Sequence, residues 1–558
     1  MKVGQKLGLT LAGALIAGSV CQAQFRSSGV LWLDFDMKNI PEPKEREASY
    51  YDAFFEGQII DGLKQQMDIP RWLRLATGHP KQASNVNVLD EVPDSSWYTN
   101  RHRLHRMTED ELKRGPNKGT PPDFADGVIT KAKTSGVTPG LEIKDATGQA
   151  YLVKFDGVTY PNLQSSAEVI STKILYAAGY NVPENYIAYI DPNSLRIRDH
   201  VEIKDAKTRK KRPLTRADLD EMLQRVAKTP EGRCRVLASK ILSGKSKGPF
   251  ALSGFRSDDP NDLIPHENRR ELRALRIISS WINNWDIRDG QSLDMYVEEE
   301  GRKFLRHYLI DFGSSLGAGR DPTEYFHGHE YFLDGKSIMQ EIATLGFHES
   351  PDEKQSTIIS PEVGSFTADD FEPGSWKSTF PSVAFSNLTD LDAFWATRVI
   401  LSFTEDDLRN IVKTAELSPQ SSDYILRTLL ERRDKLVHYW LSKTDALSDF
   451  LVKPTTEGIE LAFHDLLIEH KLTDSTSNTY SYQVKGSHYT STKKSSNRPE
   501  ITIDREELGR AIARSNGERA VEVTIWATRG NSTSSPVSIF FDWSPNRDRL
   551  AIRKIARG

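Results

Sequence analysis

The sequence predicts an α+β chain: a two-lobed mixed core followed by a C-terminal all-β domain of sandwich-like character. Three observations carry this. From residue 127 to about 450, alternating β-type patterns are interleaved with 3.6-residue helical patterns. From about 455 onward only short β-type runs remain, separated by Ser, Thr, Asn and Gly. The chain has 558 residues, and a single core stops growing near ~250–300 residues, so more than one domain is required.

The first segment, MKVGQKLGLTLAGALIAGSVCQAQ, has Lys2 and Lys6, then an apolar run from Leu7 to Val20, then small residues near Ala23. This is the layout of a secretory signal peptide, 1–23. Cys21 raises a lipoprotein alternative, but Val20 directly before it fits a lipidation site poorly. No other run is long and apolar enough to span a bilayer, so no transmembrane segment is expected after cleavage. The expectation is export, to the periplasm or beyond the cell. Cleavage would leave Cys234 as the only cysteine, which rules out an intramolecular disulfide. With 74 basic and 78 acidic residues, the net charge of −4 gives no electrostatic argument for a nucleic-acid partner.

Residues 24–126 form an extension of short apolar runs and turns, including NVNVLDEVPDSSWYTNR (85–101), whose Trp97 and Tyr98 are expected to pack. The first lobe is expected over 127–265. GLEIKDATGQAYLVKFD reads as a hairpin turning at Asp145–Gly148. The next run predicts a helix capped by Ser165 or Ser166, with Val169, Ile170, Ile174 and Ala177 on one face and its end near Gly179. YIAYI is a further strand, 200–232 a charged, solvated insertion, and RCRVLASKIL with GPFAL a strand pair.

The second lobe is expected over 266–450. It opens with ELRALRIISSWINNW, an amphipathic helix with Leu272, Leu275, Ile278 and Ile282 on one face. Thr404 with Asp407 predicts a capping box, and Ser418-Pro419 a cap followed by Pro in the first turn. In the β-rich region 455–558, SYQVKG, PEITID, AVEVTIWAT and VSIFFDW predict strands.

Four chemistry-bearing elements follow in order: Lys154 in YLVKFD, Glu168 in the next helix, NNWDIRDGQSLDMYV (283–297) after a long helix, and HYLIDFGSSLG (His307–Gly317). Phosphoryl transfer gives each a physical reason. A strand lysine can hold nucleotide phosphates, and a helix glutamate can fix that lysine. One aspartate can orient an acceptor hydroxyl and take its proton, and another can hold magnesium against the phosphates. Singly these are weak signals: a strand-end Lys is usually a surface residue, and a helix-start Glu usually serves the helix dipole. Asp286, Arg288 and Asp289 could equally be a local ion cluster. The set on matching strand and helix contexts carries the weight.

This arrangement resembles the protein-kinase-like fold over roughly residues 127–445. HYLIDFGSSLG is similar to the phosphoinositide kinases, and YLVKF followed by a helix acid and AAGYNVPE is similar to the HipA-like kinases. Secreted CotH-like kinases compare on export alone. The resemblance implies Mg²⁺ and ATP as cofactors. It makes Lys154 the phosphate lysine, Glu168 its partner, Asp286 the catalytic-loop aspartate with Arg288 in support, and Asp311 the metal ligand. An Asn lies five positions after the catalytic Asp in those families; here the position is Gln291, whose carbonyl can still coordinate metal through a longer arm. KTSGVTPG, with Lys133, Ser135 and Gly136, stands where a phosphate-covering loop belongs, without matching a strict motif. His307 reads as structural.

Two functions from different classes follow. One is an exported kinase acting on an unknown hydroxyl acceptor in a protein, lipid or small molecule. The other is a pseudokinase serving as a binding or scaffold protein in the cell envelope, suggested by Gln291 and by the scarcity of ATP outside the cell. A hydrolase has less in its favour: HExxH is absent, as is any Cys/His metal spacing.

Overall fold

The structure is a computed structural model that describes residues 30–46, 67–132, 140–204, 210–319, 328–345, 358–473, 478–512, 520–542 and 550–558. The expected signal peptide, with Cys21, lies outside the described residues. The chain is mixed α+β with several sheets.

The first sheet uses β1 (Val128–Ala132), β2 (Gly140–Lys144), β3 (Ala150–Phe155), β4 (Asn185–Ile190), β5 (Arg196–Ile197) and β6 (Cys234–Lys240), in the order β4-β6-β3-β2-β1-β5. β2 and β3 pair antiparallel from Gly140↔Lys154 to Lys144↔Ala150. Between them the Asp145 carboxylate accepts the Thr147 and Gln149 amides at 2.9 and 3.0 Å, so this aspartate closes the expected turn. Alternation along β3 buries Tyr151, Val153 and Phe155 on one face, which leaves Lys154 on the other.

Four helices accompany these strands: α1 (Glu109–Arg114), α2 (Leu163–Ala178), α3 (Arg216–Leu223) and α4 (Arg270–Trp281). α2 begins earlier than Ser165 or Ser166. Its cap is Asn162, at φ 66°, and Asp156 accepts the Gln164 and Ser165 amides at 3.0 and 3.1 Å from outside the helix. The predicted stop holds. Gly179 takes φ 116°, and a Cβ there would lie 2.2 Å from the Tyr98 ring, so both backbone and packing demand glycine.

The stretch 200–232 is more than a solvated insertion. Leu219 and Leu223 of α3, with Val226, are buried in one core with Ile129, Ile143 and Val153 of the sheet. GPFAL is not a strand: the Phe250 amide bonds to the Ser292 hydroxyl at 3.0 Å instead of a ladder partner.

α4 departs from a one-sided amphipathic helix, because Arg270, Glu271 and Arg273 are buried as well as its leucines. Arg270 reaches Asp90 at 2.6 Å and Asp392 at 3.1 Å, and Asn85 donates to Glu271 at 2.5 Å. Buried charge is tolerable only when paired, and here the partners come from the extension and from α5 (Asp390–Leu401). α4, α5 and α7 (Pro419–Leu441) share the main apolar core with α2. Between them α6 (Glu405–Lys413) starts at the predicted Thr404–Asp407 capping box, and α7 at the predicted Ser418-Pro419.

After α4, β8 (Ser292–Glu299) and β9 (Arg302–Leu309) form a hairpin, with β7 (Lys245–Ser246) on the β8 edge. The β-rich region starts at Leu447. β10 (Leu447–Pro454), β11 (Gly458–Asp465) and β13 (Glu500–Asp504) form one sheet. β12 (Asn478–Gly486), β14 (Ala520–Arg529), β15 (Val537–Asp542) and β16 (Ala551–Arg557) run through a seven-stranded one. Side chains of both sheets share one core with Leu508 and Ala511 of α8 (Arg505–Ile512). The region is therefore not all-β as expected: α8 helps to fill its core, and Leu466–Glu469 is a second, shorter helix. The region is also tied down. Arg557 bonds to Asp445 and the Leu447 carbonyl and pairs with Asp90 at 3.3 Å.

Candidate functional site

Three elements distant in sequence converge on one ammonium group. The Lys154 Nζ donates to Glu168 Oε2 at 2.8 Å and to Asp311 Oδ1 at 2.7 Å, across sequence gaps of 14 and 157 residues. β3 supplies the lysine, α2 the glutamate and the chain just beyond β9 the aspartate. The Phe312 amide also donates to the Glu168 carboxylate. α2 is joined to the same segment by Ser171–Ser315 at 2.5 Å and by Gln164 donating to the Gly319 carbonyl at 2.8 Å.

Exposure separates the members. The Glu168 side chain is 3% exposed and that of Lys154 12%, whereas that of Asp311 is 44% exposed. Burial drives the Glu168 carboxyl above its ordinary range, against the pull of Lys154. Burial opposes the Lys154 charge, but Glu168 and Asp311 outweigh it and hold the ammonium above its usual range. Asp311 has φ 62°, a left-handed conformation sparsely used by residues other than glycine; such strain costs about 1 kcal/mol or more and recurs at functional sites.

A second group is built on the chain after α4. The Asp286 Oδ1 accepts from Arg288 Nε at 2.9 Å, and Oδ2 accepts from Gln291 Nε2 at 2.7 Å. Residues 289–291 form a 3₁₀ turn, pinned by the Leu252 amide on Asp289 at 3.0 Å. The β8–β9 ladder pairs Ser292 with Leu309, and the Ile310 amide donates to the backbone carbonyl of Gln291 at 3.0 Å. The hairpin thereby sets the Asp286 loop beside the strand end that carries Asp311.

The structure therefore brings Lys154, Glu168 and Asp311 into direct contact, and Asp286, Arg288 and Gln291 into another contact set adjoining them. Lys133, Ser135 and Gly136 lie outside the described residues. Two supporting residues escaped the sequence reading. Asp156 anchors the start of α2, and buried Arg235 on β6 bonds to Ser165, to Ser166 at 3.1 Å and to the Ala415 carbonyl, linking α2 to the turn between α6 and α7. A charged residue inside an otherwise apolar strand was the available signal for Arg235. Among the described residues no helix is long and apolar enough to cross a membrane.

No family model matches the chain, and no curated protein matches it. Among solved structures it is similar to a Helicobacter pylori proinflammatory kinase, CtkA, at 13% identity and a TM-score of 0.30, with 58% of this chain and 97% of that one covered.

Proposed function

We propose that the chain is an exported, atypical kinase-like phosphotransferase with a two-lobed core and a sandwich-like C-terminal region, transferring phosphoryl from Mg-ATP to a hydroxyl acceptor. The observation that carries this is the Lys154 ammonium bridging buried Glu168 and half-exposed Asp311. A lysine held in this way is preset to meet phosphate oxygens, and its carboxylate partners keep it charged.

The donor set fits the metal the proposal needs. Magnesium takes a few carboxylate or carbonyl oxygens and completes its shell with phosphate and water. Asp311 presents a half-exposed carboxylate. Gln291 spends its Nε2 on Asp286, and its side-chain oxygen, Oε1, has no hydrogen-bond donor among the described residues. These two would hold the ion, which when bound neutralises charge on the transferred group. Glu168 fixes the reach of Lys154. Arg288 and Gln291 orient Asp286, which would accept the proton of the attacking hydroxyl.

One observation favours the scaffold reading instead. Both oxygens of Asp286 are already held by side chains of its own loop, an arrangement that would rigidify the loop without catalysis.

A thermal-unfolding titration of residues 24–558 with ATP and magnesium tests the proposal. Ligand at ~100 times its dissociation constant stabilises the native state by about 2.7 kcal/mol. The expected result is a magnesium-dependent rise that Asp311→Ala abolishes. Asp286→Ala should keep the rise and lose transfer. Wild-type protein that is folded but shows no rise would overturn the kinase reading in favour of the scaffold.

A further inference from the structure

A cavity of about 660 Å³ opens away from the residues of this site: Lys154, Glu168, Asp286 and Asp311 are not among its lining. Its walls come from the extension, from the end of α2 with the loop after it, from Ile241–Gly244 joining the first sheet to β7, and from the β8–β9 hairpin. The volume is that of a small-molecule site. The Ile241–Gly244 wall packs directly against the β8 backbone, where a Cβ on Gly244 (φ 99°) would lie 2.5 Å from the Tyr296 carbonyl.

The charges in the lining do not cancel. Glu184 is paired with Lys240 at 3.1 Å, Glu299 with Arg306 at 2.5 Å and Glu298 with Lys303 at 3.6 Å. Lys303 stands outside the lining, which itself holds four cations against three carboxylates; of these cations Arg101 and Lys118 form no ion pair among the described residues. Arg101 is held rigidly: its Nη1 donates to the Tyr176 and Tyr180 carbonyls at 2.9 and 3.0 Å, and its guanidinium lies 4.1 Å over the Tyr176 ring. Its Nε and Nη2 have no hydrogen-bond partner among the described residues. A rigid guanidinium with spare donors is suited to planar recognition of carboxylate or phosphate. Val182, Leu242 and Val297 add an apolar wall.

We propose that this cavity binds a small organic anion, a phosphate or carboxylate on a compact apolar body, with the acid met by Arg101 and Lys118. Phenyl phosphate and benzoate are the probes, read by titration calorimetry on the full exported chain. At least one probe should bind saturably, unaffected by saturating Mg-ATP. Lys118→Glu should weaken it by about tenfold or more through charge reversal, and Ser243→Trp should block it at the cavity wall. Both residues are exposed, so folding is retained. Asp311→Ala should leave probe binding intact, which separates this site from the kinase proposal. The inference is overturned if neither probe binds, if binding survives both Lys118→Glu and Ser243→Trp, or if Mg-ATP displaces the probe.

Discussion

His307 and Asp311 stand four positions apart on one strand end, and the molecule treats the two side chains in opposite ways. His307 is closed in. Its ring stacks on Trp97 at 3.6 Å, its Nδ1 meets Asp294 at 2.6 Å, and the other Asp294 oxygen takes Arg256 at 2.7 Å. The side chains of Asp294 and Arg256 are 0% exposed. Asp311 shares a lysine with a buried glutamate but keeps 44% of its side chain open, on a strained backbone. Both clusters contain carboxylates and cations at hydrogen-bond distance. The difference lies in whether a ligand can reach them, which makes the first a structural joint and the second a candidate site.

The largest effect should come from breaking the closed cluster. Asp294→Ala removes the acceptor of His307 Nδ1 and the buried one of the two carboxylates on Arg256, which keeps Asp258 at 3.0 Å; losing one partner of a buried pair costs about 3–5 kcal/mol. Asp311→Ala removes a half-exposed partner and should cost about 1 kcal/mol or less, while abolishing magnesium-dependent nucleotide binding. Denaturant unfolding of both variants checks this. The comparison fails if Asp311→Ala proves the more destabilising.

Lys173 sharpens the comparison as a buried charge with no carboxylate partner among the described residues. Its ammonium donates to the Lys113 carbonyl, beside the end of α1, and burial lowers its pKa to about 8. Below pH 8 it is protonated in both folded and unfolded chains, and the folded state carries the burial penalty. Between about 8 and its ordinary 10.5 the unfolded chain binds more protons, so stability rises with pH. The full rise is on the order of 3 kcal/mol. Relative to Lys173→Met, wild-type protein should gain stability over this range in urea melts at stepped pH. Parallel profiles would show that the ammonium is not desolvated.

The sequence made Lys154, Glu168 and Asp311 readable because each sits on a locally patterned element. Strand alternation placed Lys154 opposite the buried Val153, and the apolar run before Asp311 marked a strand end. The partners of buried charge were not readable. Asn85 and Glu271 are 186 residues apart, and Arg101 meets the Tyr180 carbonyl across 79. No local pattern links such residues, so α4 read as one-sided when its charged face was buried too. The α2 cap was misplaced for the same reason: Asp156 serves helix amides eight and nine residues onward, beyond the three-residue spacing of a capping box.

The smallest effect bears on the residue that joins the two functional groups. Gln291 gives its amide nitrogen to Asp286 and its backbone carbonyl to Ile310, so it ties the Asp286 loop to the Asp311 strand end. Gln291→Asn leaves the backbone link untouched and shortens the side chain by one methylene. Stability should change by about 1 kcal/mol or less, the range of a single hydrogen bond. If the carbonyl oxygen serves a metal, the shorter arm should preserve or raise magnesium-dependent transfer and change the magnesium requirement while leaving nucleotide affinity without metal unchanged. A magnesium titration of transfer activity reads this directly. Loss of transfer with an unchanged magnesium midpoint would mean that Gln291 acts only by holding Asp286, and the metal would then rest on Asp311 without it.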